Sequence, residues 1–535
     1  MIITGGETVR RRRITTLAAL LTGAALVASG CTSSIGGTAL TGESEGRNPA
    51  APERGPAPDP RDADAVALAL RQIDACALLD TDLAAERSGA PDDEIYVAPR
   101  GPHACLLSVN GEYDVGSRPL EVRVGTPFDQ LDRYHAEPIT LAGAKAYQTR
   151  QTSGSDHVCT VNVPTSYHIA VEFHYSHPES GVCEAVRAYA EVAVDRLREP
   201  DTLTLDPATR PFSQWDGCAF LRTLLGTEAE YVFTPDGLYD PFSGCEAVGE
   251  QDDEVVLETE YDWHNSPLGE PTELEGTTVH LYDSSYACTA TWGQAESGVD
   301  NEYLGTLTFS LETPSCDRTS ALTTEAIGLA DTRPESTDVS PQRPLLYGPD
   351  ERDTGAQGAC AHFGAPNGQA DCAPYEGGTD VPSSADEIMA TAVTEPGLQC
   401  AVFADAVAEV YGAEFQPLTW SGQCLFVEPT HQLRLDVTVH PAYRPADYGK
   451  DTSLWTDREI VEIAGKQAVS FYTTDGASRD IYVSPTGAVE ARGIVHVNAQ
   501  ALPPRGEIAA DPEPAPEKLA KAEDVLTRVI ERHFA

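Results

Sequence analysis

The stretch Asp74-Ala-Cys-Ala-Leu-Leu-Asp-Thr-Asp-Leu-Ala-Ala decides the reading of this chain, because the chain repeats it. It returns as Asp216-Gly-Cys-Ala-Phe-Leu-Arg-Thr-Leu-Leu-Gly and as Leu398-Gln-Cys-Ala-Val-Phe-Ala-Asp-Ala-Val-Ala. Each copy opens on a cysteine-alanine pair (Cys76, Cys218, Cys400) followed by an apolar run with helical spacing. A second cysteine follows 24 to 29 residues later at the edge of a strand-like run: Cys105, Cys245 and Cys424. A repeat this long is a duplicated domain, since solenoid units span only about 20 to 50 residues.

Outward from each cysteine pair the same order recurs. Alternating runs follow at Leu120–Val124, Val255–Thr259 and Leu433–Val439, and period-two alternation marks a half-buried antiparallel strand. Glycine turns then introduce further strands at Gly143–Tyr147, Gly276–His280 and Gly465–Val469. Two more strands follow, clearest at Cys159–Val163 with Ile169–Phe173, and again at Leu304–Leu311 and Ile494–Val497. A terminal helix closes copies one and three most clearly. Val186, Tyr189, Ala190, Ala193 and Leu197 form one stripe, and Leu519, Ala522, Leu526, Val529 and Ile530 another. The expected fold is α+β: three tandem helix–antiparallel sheet–helix modules, the helices free to cover one sheet face.

The expected boundaries are a targeting segment at 1–30, a polar tether at 31–62, repeats at 63–200, 205–331 and 391–535, and a long Pro-, Gly-, Asp- and Ser-rich segment at 332–390. The length of 535 residues suits about three to four domains. At 41% hydrophobic residues, each repeat can bury a core of its own. The net charge is −48, with 83 of 84 acidic residues beyond position 30. That argues against nucleic-acid binding and against docking on anionic lipid, both of which need concentrated Lys and Arg.

Thirteen cysteines are present. With Cys31 set aside for lipidation, the twelve that remain are an even number, which points to a disulfide framework. The repeat suggests Cys76–Cys105, Cys218–Cys245 and Cys400–Cys424. Copies one and two add Cys159–Cys183 and Cys288–Cys316, whereas copy three has a Pro-rich loop at Leu502 to Arg505 instead. Cys360 and Cys372 would close a small loop of their own. Each bridge is worth roughly 3 kcal/mol by the chain-entropy argument.

Catalytic and metal signals are thin. Gly42-Glu-Ser-Glu-Gly46 has the nucleophile-elbow spacing but sits in the polar tether, without the strand and helix that motif requires. His174 and His177 near Cys183, and His362 near Cys360 and Cys372, lack the compact Cys-x-x-Cys element of a zinc site. Asp236-Gly-Leu-Tyr-Asp240 lacks calcium-loop spacing and reads as an ordinary turn. The expectation is no catalytic residue, no metal and no cofactor.

The N-terminus supplies an address. Arg10 to Arg13 precede an apolar run from Ile14 to Val27, too short for a stable membrane span. Val27-Ala-Ser-Gly-Cys31 then resembles the lipobox of bacterial lipoproteins, in which the cysteine becomes the lipidated first residue. With the acidic chain and the recurring Cys-Ala motif, the whole resembles an uncharacterised domain family of actinobacterial cell-envelope lipoproteins, here in three copies. That family has no assigned enzymatic activity, and the resemblance carries over only the lipidated Cys31 and the disulfide pairs. The helix–sheet–helix order is also similar to a small α+β fold of other envelope lipoproteins and of photosystem-associated PsbP-type proteins. The functional expectation is a lipid-anchored, non-enzymatic binding or scaffold protein on the outer face of the cell membrane, partnered by the membrane through Cys31 and by an envelope protein or glycan. The alternative is an extracytoplasmic small-molecule sensor or carrier.

Overall fold

Three hairpins at equivalent places show how sequence sets this architecture. Ala142-Gly143, Glu275-Gly276 and Ala464-Gly465 each occupy both central positions of a two-residue turn with positive φ (45° and 79°, 49° and 81°, 49° and 76°). That is the turn geometry whose twist matches paired strands, and glycine at the second position makes it inexpensive. The computed structural model describes residues 63–535 except 110–118, 154, 179, 208, 214, 227–230, 236, 238–239, 250–252, 263–267, 285, 301–302, 333–344, 364–371, 431 and 508–514. The targeting segment, Cys31, the tether and Gly42 to Gly46 lie outside the described residues.

The protein is α+β, with three antiparallel sheets. The first begins with α1 (Ala63–Leu70) and α2 (Thr81–Ser88), continues through β1 (Ile95–Gly101), β2 (Ala104–Val109), β3 (Leu120–Pro127), α3 (Gln130–His135), β4 (Glu137–Leu141), β5 (Ala144–Ser153), β6 (Asp156–Pro164) and β7 (Ile169–His177), and ends on α4 (Val182–Leu197). Its strand order is β1-β2-β3-β7-β6-β5-β4. The second runs from α5 (Gly217–Leu225) through β8 (Val232–Pro235), β9 (Cys245–Val248), β10 (Glu254–Asp262), β11 (Glu270–Leu274), β12 (Thr277–Asp283), β13 (Cys288–Glu296) and β14 (Thr306–Thr313) to α6 (Cys316–Ala330). Its order, β8-β9-β10-β14-β13-β12-β11, is the same path. The third comprises β15 (Ala373–Pro374), α7 (Ala385–Thr391), α8 (Pro396–Val410), β16 (Gln416–Trp420), β17 (Gln423–Val427), β18 (Leu433–His440), β19 (Trp455–Ile463), β20 (Lys466–Thr473), β21 (Ser478–Val483), β22 (Ile494–Ala501), α9 (Pro516–Ala520) and α10 (Ala522–His533). It follows that path again with β15 added outside β16.

One face of each sheet is apolar. Val122, Val124, Val161 and Phe173 pack with Val186, Ala190 and Ala193 of α4, and Leu435, Val437, Val497 and Ala499 pack with Val525, Leu526 and Val529 of α10. Fully burying each such aliphatic side chain is worth roughly 1.5–3 kcal/mol. Six disulfides join Cys76–Cys105, Cys159–Cys183, Cys218–Cys245, Cys288–Cys316, Cys360–Cys372 and Cys400–Cys424. The Cys-Ala motif is not one helix throughout. In copy one, Cys76 lies in a 3₁₀ turn, Ala75–Leu78, and α2 starts afresh behind Asp80. The aspartates decide this, because Asp74 accepts from Cys76 N–H and Asp80 from Leu83 N–H, two caps where one helix has room for one.

The segment 345–390 is packed where it is described. Lys145 N–H donates to Tyr347 O at 2.9 Å, and buried Asp353 accepts from Arg133 Nε (3.0 Å), Lys145 Nζ (3.0 Å) and Tyr147 OH (3.2 Å). Further on, Ala359, Cys360 and Phe363 pack against Leu418, Leu425 and Val427 of the third sheet. The regions of the first and second sheets meet through His103 and Asp240, both at 0% exposure. Asp240 Oδ2 accepts from His103 N–H at 2.5 Å, and its Oδ1 lies 3.1 Å from His103 Nδ1. Burial alone would raise the Asp240 carboxyl, but the facing His103 and the hydrogen bonds hold it below the ordinary carboxylate range. The stretch expected to be an ordinary turn therefore ends in a docking carboxylate. Phe242 beside it fills the notch at Gly125 (φ 98°), where a Cβ would stand 2.2 Å from the ring.

Removing Asp240 leaves the buried His103 N–H without its acceptor. Asp240→Ala is expected to lower the unfolding free energy by about 1–3 kcal/mol, measured by denaturant titration. An unchanged transition would show that the pair does not hold the first two sheets' regions together.

Candidate functional site

Alternation sends one residue in two away from the helices, and on that second face polar side chains gather in rows. On the third sheet the row runs through Asp436 (β18), Asn498 (β22) and Asp480 (β21), which are aligned in register. Asp480 Oδ1 accepts from His496 Nε2 at 2.9 Å and from Tyr482 OH at 3.3 Å. Its Oδ2 accepts from Asn498 Nδ2 at 2.8 Å, and that amide also donates to Ser478 Oγ at 2.6 Å. The His496 ring stacks on Tyr482 at 4.0 Å, and Tyr482 stacks on Tyr448 at 3.9 Å. Asp436 is raised by burial first and by Asp480 as well, while Arg434 and His496 oppose the rise. Arg434 Nε stands 2.9 Å from Asp436 Oδ1, yet neither atom is aligned for a hydrogen bond.

The first sheet carries a different row. Arg123 donates to Glu121 Oε2 at 2.8 Å and stands 3.6 Å from Glu172 Oε1. Burial pushes Glu172 up to about 7, with Glu121 and Asp132 adding to the rise and Arg123 opposing it. The second sheet has Glu258 beside Ser310 and Thr291 at the corresponding place. The three rows thus share a position and differ in chemistry. They offer hydrogen bonds and charge, and the carboxyl of Glu172 changes protonation near neutral pH.

The sequence candidates are distributed rather than gathered. His174 Nδ1 lies 3.1 Å from Thr160 Oγ1, and His177 stacks on Tyr175. Cys183 is bonded to Cys159, and Cys360 to Cys372. Among the described residues no group of three or more His, Cys, Asp and Glu side chains is disposed to hold a metal, and no helix is long and apolar enough to cross a membrane. Sequence reading missed the rows, although the alternation already put Asp436, His496 and Glu172 on one side of their strands.

Residues 26–196 match the model of DUF3558, a family described as a protein of unknown function. The matched stretch takes in the first sheet and ends within α4. No curated protein and no solved structure matches the chain.

Because Glu172 holds its proton more tightly folded than unfolded, it costs stability as pH rises from about 4.5 to about 7. Glu172→Gln is therefore expected to gain on the order of 2–3 kcal/mol relative to wild type between pH 4.5 and pH 8. Unfolding at both pH values checks this, and a pH-independent difference would refute it.

Proposed function

We propose that the chain is a lipid-anchored, extracytoplasmic lipoprotein acting as a non-enzymatic binding or scaffold protein of the cell envelope, held through Cys31. The observation that carries this reading is the common strand path of the three sheets, each with its own disulfides, combined with polar rows that differ from sheet to sheet. Such duplication supports three tandem copies of one helix–sheet–helix domain, of the small PsbP-like kind, with the later copies free to diverge in what they bind. Modules fixed in one chain raise avidity for a multivalent envelope protein or glycan without new contacts. The run of stacked rings Tyr448, Tyr482 and His496 on the third sheet favours a second reading, an extracytoplasmic small-molecule sensor or carrier.

Two measurements test the proposal. Cells expressing the full chain should incorporate labelled palmitate into it, and Cys31→Ala should abolish the label and release the protein from membranes. Label that persists in the variant would remove the anchor. Affinity capture from crosslinked envelope should return a specific protein or glycan. A blank capture with a co-purifying small molecule in native mass spectrometry would favour the carrier instead.

A further inference from the structure

An unanswered cation stands at the seam between the first and third repeats. The loop after β22 reaches across to the first sheet, where Gly506 N–H donates to His135 O at 2.7 Å and Arg150 N–H donates to Gly506 O at 2.5 Å. A Cβ at Gly506 (φ 79°) would meet Glu137 Cβ at 2.8 Å, so the loop lies tight against the β4–β5 edge. Arg505, the preceding residue, is thereby held at the seam and is only partly exposed. Its Nε is buried without a hydrogen-bond partner, and among the described residues its guanidinium forms no ion pair or hydrogen bond.

The groups that feel its charge are hydrogen-bonding phenols and imidazoles, while the neighbouring carboxylates Glu137 and Glu507 are paired with Arg150. Tyr134 and His135 come from α3. His362 comes from the disulfide-closed segment, which Gln130 Nε2 fixes to α3 by donating to Ala361 O at 3.0 Å, while Phe363 contacts the Tyr134 ring. The charge of Arg505 acts on Tyr134, Tyr147, His135 and His362; burial first and then that charge depress both histidines. Arg434 also acts on Tyr134, as do Asp436 and Glu428. The carboxylate of Asp353 is already engaged by Arg133, Lys145 and Tyr147.

We propose that Arg505, with Tyr134, His135 and His362 around it, forms a binding site for a small oxyanion, a phosphate or carboxylate group, at the seam between the first and third repeats. A guanidinium presents a planar fork of N–H donors that matches the oxygens of either group. A buried donor left unpaired is costly, so an acceptor arriving there recovers a free energy the empty seam forgoes. Burial and the charge of Arg505 oppose protonation of the two histidines, and a bound anion would favour it. The site depends on neither the lipid anchor nor the scaffold reading.

The test is calorimetric titration of the full chain, disulfides intact, with inorganic phosphate and separately with acetate at pH 7 and fixed ionic strength. Saturable one-to-one uptake of at least one probe is expected, and which probe binds tells phosphoryl from carboxylate. Arg505→Gln is expected to weaken binding about tenfold or more, the loss of one charge-assisted hydrogen bond. Arg505→Lys, which keeps the charge but not the fork, should fall between. The wild-type protein supplies a check that needs no variant to fold: in nuclear magnetic resonance titrations, His135 and His362 should take up protons at higher pH when the binding probe is present. If neither probe binds, if Arg505→Gln binds as well as wild type, or if both histidines titrate unchanged, the proposal is overturned.

Discussion

Charge taken out of water has to be answered nearby, and that constraint ties the regions of the three sheets together. Asp240 from the region of the second sheet and Asp353 from the segment before the third are both almost wholly buried, and both are answered by side chains of the first sheet's region. Isolated in an apolar interior, either carboxylate would be strongly unfavourable. Seated against His103, or against Arg133, Lys145 and Tyr147, each fixes where its stretch of chain lies. The first sheet's region is therefore the hub, and its strand ends and α3 supply the sockets.

What the sequence makes legible follows from this. Short-range devices can be read directly. The alternation of Leu433–Val439, the glycine turns at Gly143, Gly276 and Gly465, and the stripe from Val186 to Leu197 all express periodicities of two or 3.6 that need no distant partner. The cysteine pairs are equally local, and repetition singles them out. Docking leaves no such trace. His103 and Asp240 are 137 residues apart, Arg133 and Asp353 220 apart, and nothing in either neighbourhood names the other. Asp240 looks like any aspartate in a turn until Gly101 and Gly125 make room for it and for Phe242.

The polar rows fall between these cases. Alternation assigns Asp436, Asp480, His496, Arg123 and Glu172 to the side away from the helices, but only strand order puts Asp480 beside His496 and Arg123 beside Glu172. The 3₁₀ turn at Cys76 shows local signals in competition: the apolar spacing asks for a helix, and two aspartates each ask to begin one. Capping prevails in the first copy. In the third, with Pro396 at the start and no aspartate in that place, the helix runs unbroken from Pro396 to Val410.

The six bridges have a property that only their order along the chain reveals. From Cys76 onward the cysteines pair off two by two in sequence order, and the widest separation is 29 residues. No bridge encloses or interleaves with another. A chain oxidised as it emerges, N-terminus first, would reach the native connectivity by linking each new thiol to the one just before it, before any later competitor had appeared. With Cys31 taken out by lipidation, such a chain would need none of the reshuffling that nested or interlaced disulfides require.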